Sequence, residues 1–267
     1  MNGVIAPWSS GMSDSSIPEG AIPVAPSREL QGQSYLDVLA AFHAMLQPQT
    51  YLEIGTCFGD SLALANCASL AIDPDFRLQK DVVGKKPACT LWQMGSDLFF
   101  RRHDPSAILG GPVDMAFLDG MHIWEFLLRD FANTERYCRR NSVILMHDCI
   151  PGNAYMARRD IQSTQGAEFG GADGGWAGDV WKAVVALRRF RPDLVISALD
   201  AAPTGLIVVT NLDPSSRVLT DKYFEIVDAN KNLDLFDYGV ERYHSEIGVE
   251  PAAGWLNMFN IAGKVWL

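Results

Sequence analysis

A chain of 267 residues, 48% hydrophobic and 20% charged, has enough apolar material for one large α/β domain and is somewhat short for two full ones. Its 32 acidic and 22 basic side chains leave a formal net charge of −10, which argues against a general binder of nucleic-acid backbones. Five cysteines without C-x-x-C spacing argue against a disulfide framework or structural zinc, and no apolar run approaches the roughly 20 residues needed to span a bilayer. With no Arg or Lys before Arg28 a secretory signal is not expected, so the expectation is a soluble cytoplasmic protein without membrane partners.

Residues 1 to 30, rich in Ser, Gly and Pro and without a period, read as a flexible arm or an active-site cover. From 31 to 267 the pattern is that of a single domain. A first helix is predicted from Ser34 to Leu46, with Tyr35, Leu36, Val38, Leu39, Phe42 and Leu46 on one side. Seven apolar runs follow, YLEIG, SLAID, TLWQM, VDMAFLD, SVILMHD, LVISAL and GLIVVT, with helical patterns starting near Asp60, Ser96, Ile123 and Val180. Such alternation indicates a Rossmann-like α/β fold, a seven-stranded and mostly parallel sheet with helices on both faces. Arg136, Arg139 and Arg140 fall at the end of a predicted helix, where they would face water and complement its dipole. Residues 151 to 179 form a long Gly-rich segment of the kind that covers sites. The stretch from 211 onward reads as an extension packed on the sheet edge or on a second subunit of a homo-oligomer.

The stretch YLEIGTCFGDSLALA, from Tyr51, reads as a strand, a glycine turn and the opening of a helix. Backbone N–H groups of such a turn approach a ligand closely, and a carboxylate further on, here Asp73, 18 residues after Gly55, can grip ribose hydroxyls. Dinucleotide folds carry G-x-G-x-x-G, whereas this turn is Gly55-Thr56-Cys57-Phe58-Gly59, with bulky Phe58 where a pyrophosphate would need room. It also lacks the Gly-Lys of a P-loop. With Glu53 the pattern is E-x-G-x-x-x-G, and here the chain resembles the class I S-adenosylmethionine-dependent methyltransferases. The resemblance implies that Gly55, Thr56 and Gly59 line the methionine part of that cofactor. It further implies that Glu53 holds the amino group or supports the loop, that Asp73 binds the ribose, and that Gly95-Ser96-Asp97 borders the adenine. Plain turn and N-cap roles are the alternatives for the glycines and for Ser96 or Asp97.

Two strands end in unusually polar groups, Asp119-Gly120-Met121-His122 and His147-Asp148. As neighbours in the sheet they would bring Asp119, His122, His147 and Asp148 to one rim, a set able to hold magnesium or manganese, or a softer metal if histidine ligates. Helix capping by Asp119 and a buried structural role for His147 are the plainer readings. These pairs resemble the metal-dependent O-methyltransferases that act on sugars and glycans, over about residues 50 to 210. That resemblance implies Asp119, Asp148 and His147 as metal ligands, Asp119 also beside the cofactor, and His122 as general base. His147 departs from it, because a carboxylate or amide is more usual near that position. Further on, Trp176 and Asp179 (or Lys182) are candidates to bind an acceptor, while Trp181 is expected to pack. His43, His103 and His244 read as surface or structural. The function expected is transfer of the S-adenosylmethionine methyl group to a hydroxyl of a sugar or glycoconjugate (a small-molecule or glycan acceptor), assisted by a divalent metal. The rival readings are an NAD-type oxidoreductase and a non-catalytic S-adenosylmethionine-binding protein.

Overall fold

The computed structural model describes residues 30–160 and 176–256. The arm before Leu30, residues 161–175 of the expected cover and the last eleven residues lie outside the described residues. Helix α1 (Tyr35–Leu46) begins at Ser34, whose hydroxyl accepts the Leu36 N–H, and ends at Gln47 in the left-handed region. It buries Val38, Leu39, Phe42 and also His43.

All seven predicted strands form: β1 (Thr50–Ile54), β2 (Ala68–Asp73), β3 (Cys89–Gln93), β4 (Val113–Leu118), β5 (Cys138–His147), β6 (Val195–Leu199) and β7 (Leu206–Thr210). An eighth, β8 (Val249–Glu250), joins them, so the sheet has eight strands and not seven. Two residues are too few to register as an apolar run. The order is β3-β2-β1-β4-β5-β7-β6-β8. β1 to β5 run parallel, β7 is antiparallel to both of its neighbours, and β8 pairs parallel with β6. β1 and β4 are buried along their whole length, which is why they read as continuous apolar runs. Alternate side chains feed two cores: Leu52, Ile54, Ala116 and Leu118 enter one, and Tyr51, Met115 and Phe117 the other.

The remaining helices are α2 (Ser96–Arg102), α3 (Pro105–Leu109), α4 (Trp124–Glu135), α5 (Trp181–Phe190), α6 (Val218–Asp221), α7 (Tyr223–Asn230), α8 (Leu235–Tyr238) and α9 (Val240–Ile247). Those predicted near Ser96, Ile123 and Val180 are α2, α4 and α5. The helix expected near Asp60 does not form, and only a 3-10 turn, Leu62–Leu64, lies between β1 and β2. The eight residues from Asp60 to Cys67 would climb about 12 Å as an α-helix. A five-residue strand spans about 17 Å, so the return must be more extended. α1 covers the same face, its Val38, Leu39 and Phe42 sharing a core with Leu62 and Tyr51.

The basic cluster is also corrected. α4 ends at Glu135, and Arg139 and Arg140 belong to β5, which starts four residues ahead of its predicted run. Arg139 pairs with Asp114 at 2.5 Å and Arg140 donates to Asn211 at 3.0 Å. From residue 211 the extension forms α6 to α9 and β8, packed on α4, α5 and the β6 edge. Among the described residues no helix is long and apolar enough to cross a membrane.

Candidate active site

The glycine turn follows β1 directly. Gly55 has φ +88°, and a Cβ there would lie 1.9 Å from the carbonyl oxygen of Asp119, so only glycine lets the ends of β1 and β4 meet. Gly59, at φ +87°, leaves room for Val82. The Cys57 N–H donates to Asp73 Oδ2 at 2.8 Å, and the Asp75 N–H to Asp73 Oδ1 at 2.7 Å. Asp73 therefore braces the turn it was expected to work beside. Glu53 is fully buried; Tyr51 donates to its Oε2 at 2.6 Å while Oε1 has no hydrogen-bond partner. Burial pushes this carboxyl up to about 7, against the opposing pull of the Tyr51 hydroxyl. Thr56 is buried too, its hydroxyl unpartnered.

Gly95 caps α2, and Ser96 is that helix's first residue. Asp97 is paired and not free. Arg129 of α4 donates to both of its oxygens, at 2.9 to 3.0 Å, which ties α2 to α4. Behind Ser96 lies Asp130, a buried carboxyl pushed up to about 7 by burial against the opposing Ser96 hydroxyl. It was not anticipated, although its place three residues after Leu127 on an apolar helix face was a signal.

The four polar residues at the ends of β4 and β5 converge as expected, since these strands are paired with Leu118 opposite Met146. Nε2 of His122 lies 3.0 Å from Asp148 Oδ2 and 3.7 Å from Asp119 Oδ1. Nδ1 of His147 lies 3.2 Å from Asp119 Oδ1 and 3.5 Å from Asp148 Oδ2. Asp148, in the left-handed region at φ 59°, also accepts from the Thr204 hydroxyl. Burial opposes charge on both imidazoles, but the two carboxylates outweigh it and raise His122 to about 9 and His147 to about 10. Burial would lift Asp148 as well, yet His147 and His122 hold it well below the usual carboxylate range. For Asp119 burial prevails and the shift is upward.

Among the described residues, Asp119, His122 and Asp148 form a group whose ligand atoms all lie within 4.8 Å of one another. This differs from the expected set by exchanging His147 for His122. His147 is the more buried ring, with Nε2 toward Thr204 and the tilted Tyr35 ring against it at 4.0 Å between centroids. Sequence reasoning found neither Tyr35, read as a helix apolar position, nor Thr204, which sits between strands with no motif to mark it.

Trp176 stacks on His122 at 5.0 Å, and its carbonyl lies 2.9 Å from His122 Nδ1. A carbonyl only accepts, so this contact keeps a proton on Nδ1 and directs Nε2 at the carboxylates. Asp179 does not face an acceptor. It is 2% exposed, accepts the Trp124 N–H at 3.0 Å at the start of α4, and pairs with Arg159 and Lys182. Trp181 packs against Tyr238 and Tyr243 as expected. His43 and His244 are buried, and His103 packs at a tilt against Trp92.

No protein-family model matches the chain, and no curated protein matches it. Solved structures do match. Cofactor-bound Rv0187 from MTB is 15% identical, with 66% of this chain and 78% of that one covered and a TM-score of 0.48. The O-methyltransferase TomG from Streptomyces achromogenes, in complex with SAM, is 15% identical over 66% and 78%, with a TM-score of 0.47. The O-methyltransferase from Bacillus cereus, in complex with SAH, is 13% identical over 71% and 82%, with a TM-score of 0.47.

Proposed function

We propose that this protein is an S-adenosylmethionine-dependent O-methyltransferase whose acceptor hydroxyl, of a sugar or glycoconjugate, is activated at a divalent metal. One observation carries the reading: the Asp119, His122 and Asp148 group lies directly against the glycine turn, with Gly55 packed on the Asp119 backbone. A cofactor over the turn and an acceptor at the carboxylates would then be neighbours, as in-line transfer requires.

The residues fit both groups. Glu53 is a buried carboxyl with one unpartnered oxygen beneath the turn, and the cofactor's α-ammonium is a complement to it. Asp119 and Asp148 bring two carboxylates to one rim with His122, a donor set suited to a divalent cation. Asp119 and Asp148 would hold the metal, with Nε2 of His122 as third ligand once its proton has left. S-adenosylmethionine would supply a methyl group on a sulfonium, and the metal would lower the pKa of the acceptor hydroxyl. Trp176 holds His122 by stacking and through its carbonyl, and its ring edges the acceptor side. His147, held toward its charged form beside both carboxylates, orients them. The acidic chain suits a cationic cofactor and a neutral acceptor.

Calorimetry with S-adenosylhomocysteine and with NAD tests the cofactor: micromolar-range binding of the first and none of the second is expected, and the reverse would overturn the reading. Radiolabelled S-adenosylmethionine with sugar, phenol and small-acid acceptors then tests the reaction. Turnover unchanged in EDTA would remove the metal from it, and labelling of phenols alone would remove the sugar.

A further inference from the structure

Tyr35, the first residue of α1, lies over the carboxyl ends of β4 and β5. Its N–H donates to the Ala202 carbonyl at 2.9 Å, and Ser34 before it bridges to the same residue. Between centroids its ring is 4.0 Å from the His147 ring and 6.2 Å from that of Phe117. Phe117 stands opposite Glu53 in the β1–β4 register, so the Tyr35 ring covers the neighbour of the buried carboxyl beneath the glycine turn. Backbone and ring are thus both held. The hydroxyl is the part left over, and it makes no hydrogen bond among the described residues.

That hydroxyl stands in a negative field. Burial and the carboxylates of Asp119, Asp148, Asp60 and Glu53 all push it well above the usual phenol range. It therefore keeps its proton and can act as a donor but not as a base. None of the four carboxylates accepts that proton, so the half-buried donor awaits an oxygen from a ligand. The amino-acid end of S-adenosylmethionine carries an ammonium and a carboxylate on one carbon. Glu53 complements the ammonium, but the carboxylate beside it would enter the same negative region. The cations next to the turn are already used. Arg77, whose N–H donates to the Cys57 carbonyl, pairs with Asp75, and Lys80 pairs with Asp60. A neutral donor held near Glu53 meets that need without a further charge to bury.

We propose that Tyr35 is a cofactor-binding residue, its hydroxyl donating a hydrogen bond to the α-carboxylate of S-adenosylmethionine. The inference rests on the cofactor reading above and adds to it a contact from α1. Titration calorimetry of the full chain with S-adenosylhomocysteine and with its decarboxylated analogue, which keeps the ammonium, tests it. Tyr35→Phe retains the ring against His147 and Phe117 and removes only the donor. It should weaken S-adenosylhomocysteine by about tenfold or more, as loss of a hydrogen bond to a charged group implies. The affinity for the decarboxylated analogue should stay within about twofold, which also shows that the variant is folded. An unchanged affinity for S-adenosylhomocysteine, or an equal loss for the two ligands, would overturn the role of Tyr35 alone. Failure of the natural chain to bind S-adenosylhomocysteine would overturn the cofactor reading and this contact with it.

Discussion

Replacing Glu53 by Gln should make the protein more stable and a poorer binder at once. The carboxyl is 0% exposed, and burial lifts it from 4.5 to about 7. Because the folded value lies above the unfolded one, this group's contribution is whole below about pH 4.5 and is lost as pH rises through about 7. At about 1.4 kcal/mol for each pH unit, the interval corresponds to about 3 kcal/mol. Gln keeps an oxygen for the Tyr51 hydroxyl and carries no charge to bury. Thermal denaturation of both proteins between about pH 5 and pH 8 should therefore show a gap that opens with pH. At roughly 2 to 4 °C per kcal/mol for a chain near this size, Glu53→Gln should melt about 6 to 12 °C higher at the alkaline end. S-adenosylhomocysteine should bind it about tenfold more weakly or worse, because the ammonium loses its charged partner. Melting curves that stay parallel across the whole range would refute the titration. Unchanged affinity would refute the role of Glu53 under the turn.

Three further outcomes are expected. Gly55→Ala, with φ +88° and a Cβ 1.9 Å from the Asp119 oxygen, should lose more than about 3 kcal/mol in urea denaturation, whereas Gly111→Ala, with open space around it, should stay within about 1 kcal/mol. Similar losses in the two would contradict the close approach. Arg191→Met strands Glu135, whose oxygens accept from Arg191 at 2.6 and 2.9 Å in a buried pair, and should cost about 3 to 5 kcal/mol. A loss under about 1 kcal/mol would show that the pair adds little. Manganese at about 100 times its Kd should raise stability by about 2.7 kcal/mol, read from denaturation with and without the ion, and Asp148→Asn should abolish that gain. A gain that survives the substitution would place the ion elsewhere.

The strands were legible because β1, β4 and the stretch of β5 from Ser142 are buried on both faces and so appear as unbroken apolar runs ending in polar residues. The E-x-G-x-x-x-G turn was legible because positive φ and close approach at Gly55 and Gly59 leave little choice of residue. What the sequence did not show depended on partners far off in the chain. Asp97 looks like a binding residue until Arg129, 32 positions on, takes both of its oxygens. Asp179 looks like a helix N-terminal charge beside α5, yet it serves the start of α4 across 55 residues. His122 and His147 were both placed at the rim, but their separate tasks turn on which nitrogen faces which carboxylate. That is set by Trp176 on one ring and by Thr204 and Tyr35 on the other.

The absence of a full helix between β1 and β2 alters what counts as the smallest transplantable unit of this chain. A cut just before the glycine motif, at Thr50, would keep every motif residue and remove α1. Yet α1 roofs the sheet where a crossover helix would otherwise lie, and its Tyr35 rests on His147 while Gln33 and Ser34 pair with Ala202 beyond β6. Grafts, truncations and permuted termini should therefore be drawn no later than about residue 30. A fragment that starts at its own signature would be born with one face of its sheet bare.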